Sequence, residues 1–124
     1  MDALFQIDGW DVPFAAAGVT RAEGVVDTRG DVGRPVRLAS VSKPVTALAV
    51  LVAAEEGVVD LDEPAGPPGA TLRHLLAHAS GLPFEGLVPL APPGRRGIYS
   101  SEGFGAVGEH VARAAGMPFA EYVR

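Results

Sequence analysis

Several residue types are missing or rare in this sequence. It contains no cysteine and no asparagine, and Lys43 is the only lysine among ten lysine and arginine residues. Without cysteine the chain has no disulfide, no thiol nucleophile and no thiolate metal site. It has no run of five or more basic residues, and its net charge of −5 disfavours a nucleic-acid surface. We therefore expect no nucleic-acid partner.

Long apolar segments are also scarce. The longest apolar run, PVTALAVLVAA, begins at Pro44 and is about half the length needed to span a bilayer. The first residues, MDALFQIDGW, carry an acid where a secretory signal would have a basic flank. These features predict a cytoplasmic protein with no membrane partner.

The composition is typical of a soluble globular protein, with 48% hydrophobic and 20% charged residues. A chain of 124 residues is long enough for one small domain with a core and too short for two. We therefore expect residues 1–124 to belong to one domain.

Glycine and proline divide this chain into blocks with different patterns. Short runs of small and β-branched residues predict a strand hairpin within about residues 12–30. A nucleophile helix is predicted at about 40–56, ended by Gly57, and its apolar residues occupy every face. A helix that is apolar all round is expected to be buried inside a domain.

Residues from about 70 to 124 predict a helical region. Thr71 is a candidate N-cap for a helix LRHLLAHA, which Gly81 would end. Further along, apolar residues recur at helical spacing, at Phe104, Val107, Val111 and Ala114 or Ala115.

The single lysine lies three residues after Ser40, in RLASVSK. Residues three apart on a helix share a face, so the two side chains are expected within hydrogen-bond reach. A serine hydroxyl needs a base to become a good nucleophile, and lysine can release its proton whereas arginine effectively cannot. The spacing predicts Ser40 as nucleophile and Lys43 as its activator. The alternative is that Lys43 is an ordinary solvent-facing residue, because S-x-x-K also occurs by chance.

Two histidines suggest a metal site as an alternative interpretation of the sequence. His74 and His78 are four apart on the predicted helix, a spacing that can place two imidazoles on one metal. However, HLLAH has leucine where the H-E-x-x-H pattern has glutamate, and no third ligand is nearby. We therefore expect no metal. His78 is instead expected to be a buried residue that fixes the loop ASGLP, and His74 to face solvent.

Three stretches resemble, in order, motifs of the serine β-lactamase and penicillin-binding-protein superfamily, specifically its class C-like branch. They are LASVSKPVTALAVLVAAEEGVVDLDEPA, TLRHLLAHASGLP and PPGRRGIYSSEGFGAVGEHVARAAGMPFAEYV. The resemblance extends from about Leu38 to the end of the chain and covers the N-terminal part of the family's domain. It implies a mixed α/β fold (α+β), in which a central buried helix and a helical region lie against an antiparallel sheet. That sheet would be incomplete in this chain.

The resemblance also implies a function: a serine hydrolase that forms an acyl-enzyme with a small-molecule substrate and needs no cofactor. The substrate would be a β-lactam, an ester or a D-amino-acid peptide. Ser40 would be the nucleophile, Lys43 its activator and Tyr99 a partner in proton transfer, because a phenol near Lys43 ionises more easily. Ser101 stands where the family's Tyr-x-Asn motif has asparagine, and would contact substrate with one hydroxyl donor.

Two departures from the family pattern leave an alternative function open. Asparagine is replaced by Ser101, and the third motif, Lys or His followed by Thr or Ser and then Gly, does not occur. A non-catalytic binding or scaffold protein with the same fold would show both departures. The missing strands would also leave an unpaired sheet edge, so a homo-oligomer or a complementing C-terminal segment is expected as a partner.

Overall fold

A short 3-10 helix and a strand hairpin form the N-terminal part of the protein, and four α-helices follow. The computed structural model describes residues 2–124. It divides into two units, one that ends at Arg37 and one that comprises Leu38–Arg124. Helices combined with an antiparallel two-stranded sheet confirm the predicted mixed α/β class.

The hairpin of the first unit consists of β1, Ala17–Arg21, and β2, Gly24–Arg29, after the 3-10 helix Asp2–Gly9. It lies within the predicted region, but β1 begins later than residue 12. Pro13 lacks a backbone N–H, so the residues around it are poor partners in a strand ladder. Within residues 2–124, β1 and β2 are the only strands of the sheet.

Arg29 joins the hairpin to the 3-10 helix. Its guanidinium binds the Asp8 carboxylate through two nitrogens and lies 4.2 Å from the centre of the Phe5 ring. The hydrogen bond from Arg29 is the main reason that the pKa of Asp8 is lowered. A bidentate pair of this kind fixes orientation as well as adding attraction.

The second unit contains four helices: α1 (Ser42–Glu55), α2 (Leu72–Leu76), α3 (Ser101–Ala115) and α4 (Phe119–Tyr122). Its core is built from α1, α2, α3 and the loops between them: Val50, Ala53, Val59, Ala65, Leu72, Leu75, Leu82, Val107 and Val111. No helix in the described residues is long and apolar enough to cross a membrane.

Helix α1 is covered along one side only. Val50 and Ala53 are fully buried against the core, whereas Leu48 is 64% exposed and Leu51 is also exposed. The prediction of a central buried helix therefore holds for one face of α1, and the other face is exposed in the described residues. An all-apolar helix needs neighbours all round, and the described residues supply them on one face.

Helix α2 is shorter than predicted. Thr71 is its N-cap as expected, but the helix ends at Leu76 rather than near Gly81. The cause is His78, which adopts a left-handed backbone conformation with φ 55° and so cannot continue the helix. Gly81 instead allows a close approach of two backbone segments, because a Cβ there would lie 1.9 Å from the Ala91 carbonyl oxygen.

Candidate active site

Ser40 and Lys43 lie together where α1 begins. Ser40 belongs to a 3-10 turn, Ala39–Val41, that leads directly into the helix, and its side chain is exposed. The half-buried Lys43 donates from Nζ to Ser40 Oγ over 3.3 Å. This hydrogen bond is the contact that the three-residue spacing of Ser40 and Lys43 predicts.

Ala39, immediately before the predicted nucleophile, has an unusual backbone conformation. Its φ is 47°, in the left-handed region that residues with a side chain seldom adopt. The Ser42 hydroxyl donates to the Ala39 carbonyl oxygen at 2.6 Å and so helps to hold the turn. Strained residues of this kind are often found at functional sites. Sequence reasoning missed Ala39, because an alanine gives no signal for a positive φ.

Tyr99 and Ser101 complete the cluster around Lys43. Lys43 Nζ donates to Ser101 Oγ at 3.2 Å and lies 4.8 Å from the centre of the Tyr99 ring. Hydrogen bonding to Ser40 and Lys43, together with the positive charge of Lys43, lowers the pKa of Tyr99. All the residues predicted for the site therefore lie side by side, although they come from segments almost sixty residues apart.

Ser100, which lies between Tyr99 and Ser101, fixes the start of α3. Ser100 is the N-cap, and its Oγ accepts from the Gly103 N–H at 2.8 Å and donates to the Pro83 carbonyl at 2.6 Å. The Ser100 side chain is buried, with 1% exposure. Because this serine is fixed in the interior, the flanking residues can reach Lys43.

His78 contacts the same segment. Its Nδ1 accepts from the Ser100 backbone N–H at 3.0 Å, and its ring lies 4.5 Å from the Tyr99 ring and 5.1 Å from the Phe104 ring. The ring is half-buried rather than buried. The prediction for His78 needs correction, because the ring binds the residues before α3 and not the loop ASGLP.

His74 does not simply face solvent, so that prediction is wrong. It is half-buried and closes a capping box, in which Nδ1 accepts from the Thr71 N–H at 3.1 Å and the His74 N–H donates to Thr71 Oγ1. A histidine here takes the place that glutamate or glutamine usually has. Among the described residues, no group of three His, Asp or Glu side chains could hold a metal ion.

A cleft of about 370 Å³ opens beside these residues. Lys43 and Ser40 face an otherwise largely apolar lining, which consists of Pro44, Ala47, His78, Tyr99 and Phe104. A concave apolar surface with a few converging polar groups is typical of small-molecule sites. The arrangement offers a hydroxyl nucleophile, an amine, and a phenol that ionises readily.

Known proteins resemble the chain along most of its length. The family model described as Beta-lactamase matches residues 3–124. A penicillin-binding protein of Bacillus subtilis is 29% identical over the aligned region, which covers 70% of this chain and 27% of that protein. Esterase EstB of Burkholderia gladioli is 38% identical over the aligned region, which covers 52% of this chain and 21% of that protein.

Among solved structures, a beta-lactamase from Mycobacterium bovis matches with a TM-score of 0.91 and 53% identity. The match covers 98% of this chain and 44% of that chain. The chain thus spans less than half the length of each of these relatives. The similarity confirms the predicted β-lactamase/transpeptidase-like fold.

Proposed function

The chain belongs to the beta-lactamase family, and from this we propose that it carries the nucleophile of a class C-like serine hydrolase that works through an acyl-enzyme. One observation supports the proposal most strongly. Lys43 Nζ lies 3.3 Å from Ser40 Oγ and 3.2 Å from Ser101 Oγ, beside the ring of Tyr99. A nucleophile and its base need this kind of hydrogen-bond contact.

In the proposed reaction, Ser40 Oγ attacks the acyl carbon of the substrate and forms an ester bond. The Ser40 proton passes to Lys43 or Tyr99, which act as a coupled pair. The same pair then protonates the leaving amine or alcohol as its bond to the acyl carbon breaks. A water molecule finally hydrolyses the ester and restores the Ser40 hydroxyl.

We propose a β-lactam, an ester or a D-amino-acid peptide as substrate. Each has a carboxylic ester or amide whose carbonyl carbon a serine can attack by the same steps, so that the serine becomes acylated. The similarity to a penicillin-binding protein, an esterase and a beta-lactamase supports this common chemistry. The apolar lining of the cleft suits an acyl group with little charge.

Covalent labelling tests this function, because it needs one chemical event and no turnover. The chain is exposed to a fluorophosphonate or to penicillin, and its intact mass is measured before peptide mapping. We expect one adduct, on Ser40, and none in Ser40→Ala. Ser101→Ala should still be labelled, but more slowly. An adduct on Ser42, Ser100 or Ser101 would contradict the assignment, and no adduct at all would favour a non-catalytic binding protein.

A further inference from the structure

We propose that His78 is a positioning residue for Tyr99. In this proposal the neutral imidazole and the backbone carbonyl of His78 together hold the segment Ile98–Ser100, so that the Tyr99 phenol stays beside Ser40 and Lys43. The inference rests on the proposed function, in which Tyr99 takes part in proton transfer.

Two hydrogen bonds to one residue enclose Tyr99. The Ile98 N–H donates to the His78 carbonyl at 2.7 Å, and the Ser100 N–H donates to His78 Nδ1 at 3.0 Å. Between these two bonds, the Tyr99 ring lies 4.5 Å from the imidazole, at an angle of 34°. His78 thus contacts the residue before Tyr99, the residue after it, and its ring.

The backbone of His78 is specialised for these contacts. Its φ of 55° lies in the left-handed region, which is uncommon for a residue with a side chain, although histidine enters it more often than most. Such a conformation persists when its surroundings determine it. At His78 the hydrogen bonds from the Ile98 and Ser100 N–H groups fix this conformation, because they bind the carbonyl and the ring of the same residue.

The ring must be neutral to hold the segment. Nδ1 can accept from the Ser100 N–H only when the ring proton is on Nε2, whereas a protonated imidazole donates from both nitrogens. The titratable groups that face the ring among the described residues are Lys43 from α1 and Tyr99 from the segment before α3. Burial, and then the charge of Lys43, lower the pKa of His78 below its usual 6.5.

The direction of this shift sets the pH dependence. A histidine with a lowered pKa stays neutral through the neutral pH range, so the contact with Ser100 is kept there. The contact with Ser100 is lost as the pH falls through the lowered pKa of His78, because Nδ1 then carries a proton that faces the Ser100 N–H. The stabilisation from the neutral ring is likewise complete above about pH 6.5, the ordinary value for histidine, and decreases in acid.

Ser100 makes it possible to separate positioning from folding. Its side chain binds Gly103 and Pro83 independently of His78, so the start of α3 keeps two anchors when the imidazole is removed. Loss of the His78 ring is therefore expected to release Tyr99 while the helix remains.

The titration of Tyr99 provides the test. Tyr122→Phe leaves Tyr99 as the only tyrosine, and its ionisation is then followed by the ultraviolet absorbance of tyrosinate. Three variants are compared in this background. His78→Gly tolerates the left-handed φ but lacks the acceptor, His78→Asn retains an acceptor oxygen close to the Nδ1 position, and His74→Gln is a matched control on α2.

We expect the pKa of Tyr99 to be below 10 in the parent, in His78→Asn and in His74→Gln, and to return to about 10 in His78→Gly. Fluorophosphonate labelling of His78→Gly should slow by about tenfold or more, which is part of the roughly hundredfold or more that acid–base help usually contributes, through the maximal rate and not through reagent affinity. His78→Asn should restore most of that rate.

A folded His78→Gly chain with the Tyr99 pKa of the parent would overturn the proposal. Should His78→Gly fail to fold, His78→Asn decides, because an ordinary Tyr99 pKa in folded His78→Asn would also overturn it. Failure of the proposed function looks different. In that case Ser40 stays unlabelled in the parent, while the titration of Tyr99 still reports whether His78 positions the phenol.

Discussion

The only lysine of the chain, Lys43, is in contact with hydroxyls and aromatic rings. Lys43 Nζ donates to the Ser40 and Ser101 hydroxyls and lies within 5.8 Å of the centres of both the Tyr99 and Phe104 rings. The lysine ammonium is compact and can release a proton, and here it hydrogen-bonds to both hydroxyls. A guanidinium is larger, planar and effectively always charged.

Lys43→Arg should therefore keep the charge and lose the function. We expect labelling of Ser40 to fall by at least about a hundredfold, the usual scale for loss of general acid–base help, with little change in thermal unfolding. Arg113→Lys, at an exposed position of α3, is a matched control that should label normally. Labelling of Lys43→Arg at nearly the parent rate would mean that Lys43 supplies charge alone.

At the scale of elements, the start of α3 combines a structural serine with a functional one. Ser100 is buried and bonds to Pro83 and Gly103, whereas Ser101 is half-buried and bonds to Lys43. Two adjacent residues of the same type thus have separate tasks.

Exchanging each serine for alanine should produce opposite phenotypes. Ser100→Ala removes an N-cap and leaves the Pro83 carbonyl without its donor, so we expect a loss of about 2–3 kcal/mol in the free energy of unfolding. Ser101→Ala should change stability little and slow the labelling of Ser40. Denaturant unfolding measures the first effect and intact mass the second. Equal destabilisation by both changes would contradict this division.

Features set by local chemistry could be predicted from the sequence, and features set by distant contacts could not. The Thr71 cap and the contact between Ser40 and Lys43 depend on residues three apart, so the sequence pattern predicts them. The end of α2 depends on His78, whose conformation is fixed by partners about twenty residues away. No spacing rule contains that information.

At the scale of the whole molecule, one apolar surface of α1 lies uncovered among the described residues. Val45, Leu48 and Val52 are exposed, and with Val123 near the C-terminus they line one groove. Full burial of a Val or Leu side chain is worth about 1.5–3 kcal/mol. Exposure of several such residues therefore costs an appreciable part of the 5–15 kcal/mol that is typical of a whole domain. We propose that a second copy or a complementing C-terminal segment covers this surface.

This apolar groove predicts that the 124-residue chain self-associates. We expect sedimentation to show dimers or larger species, and nitrocefin or nitrophenyl-ester hydrolysis to remain barely above background. Leu48→Gln should shift the population toward monomer, because it places an amide on the exposed face of α1. Leu87→Gln is the matched control, since Leu87 is 77% exposed but lies in the loop before α3, and association should be unchanged there. A stable monomer with clear turnover that Ser40→Ala abolishes would show that the chain needs no partner to cover the groove.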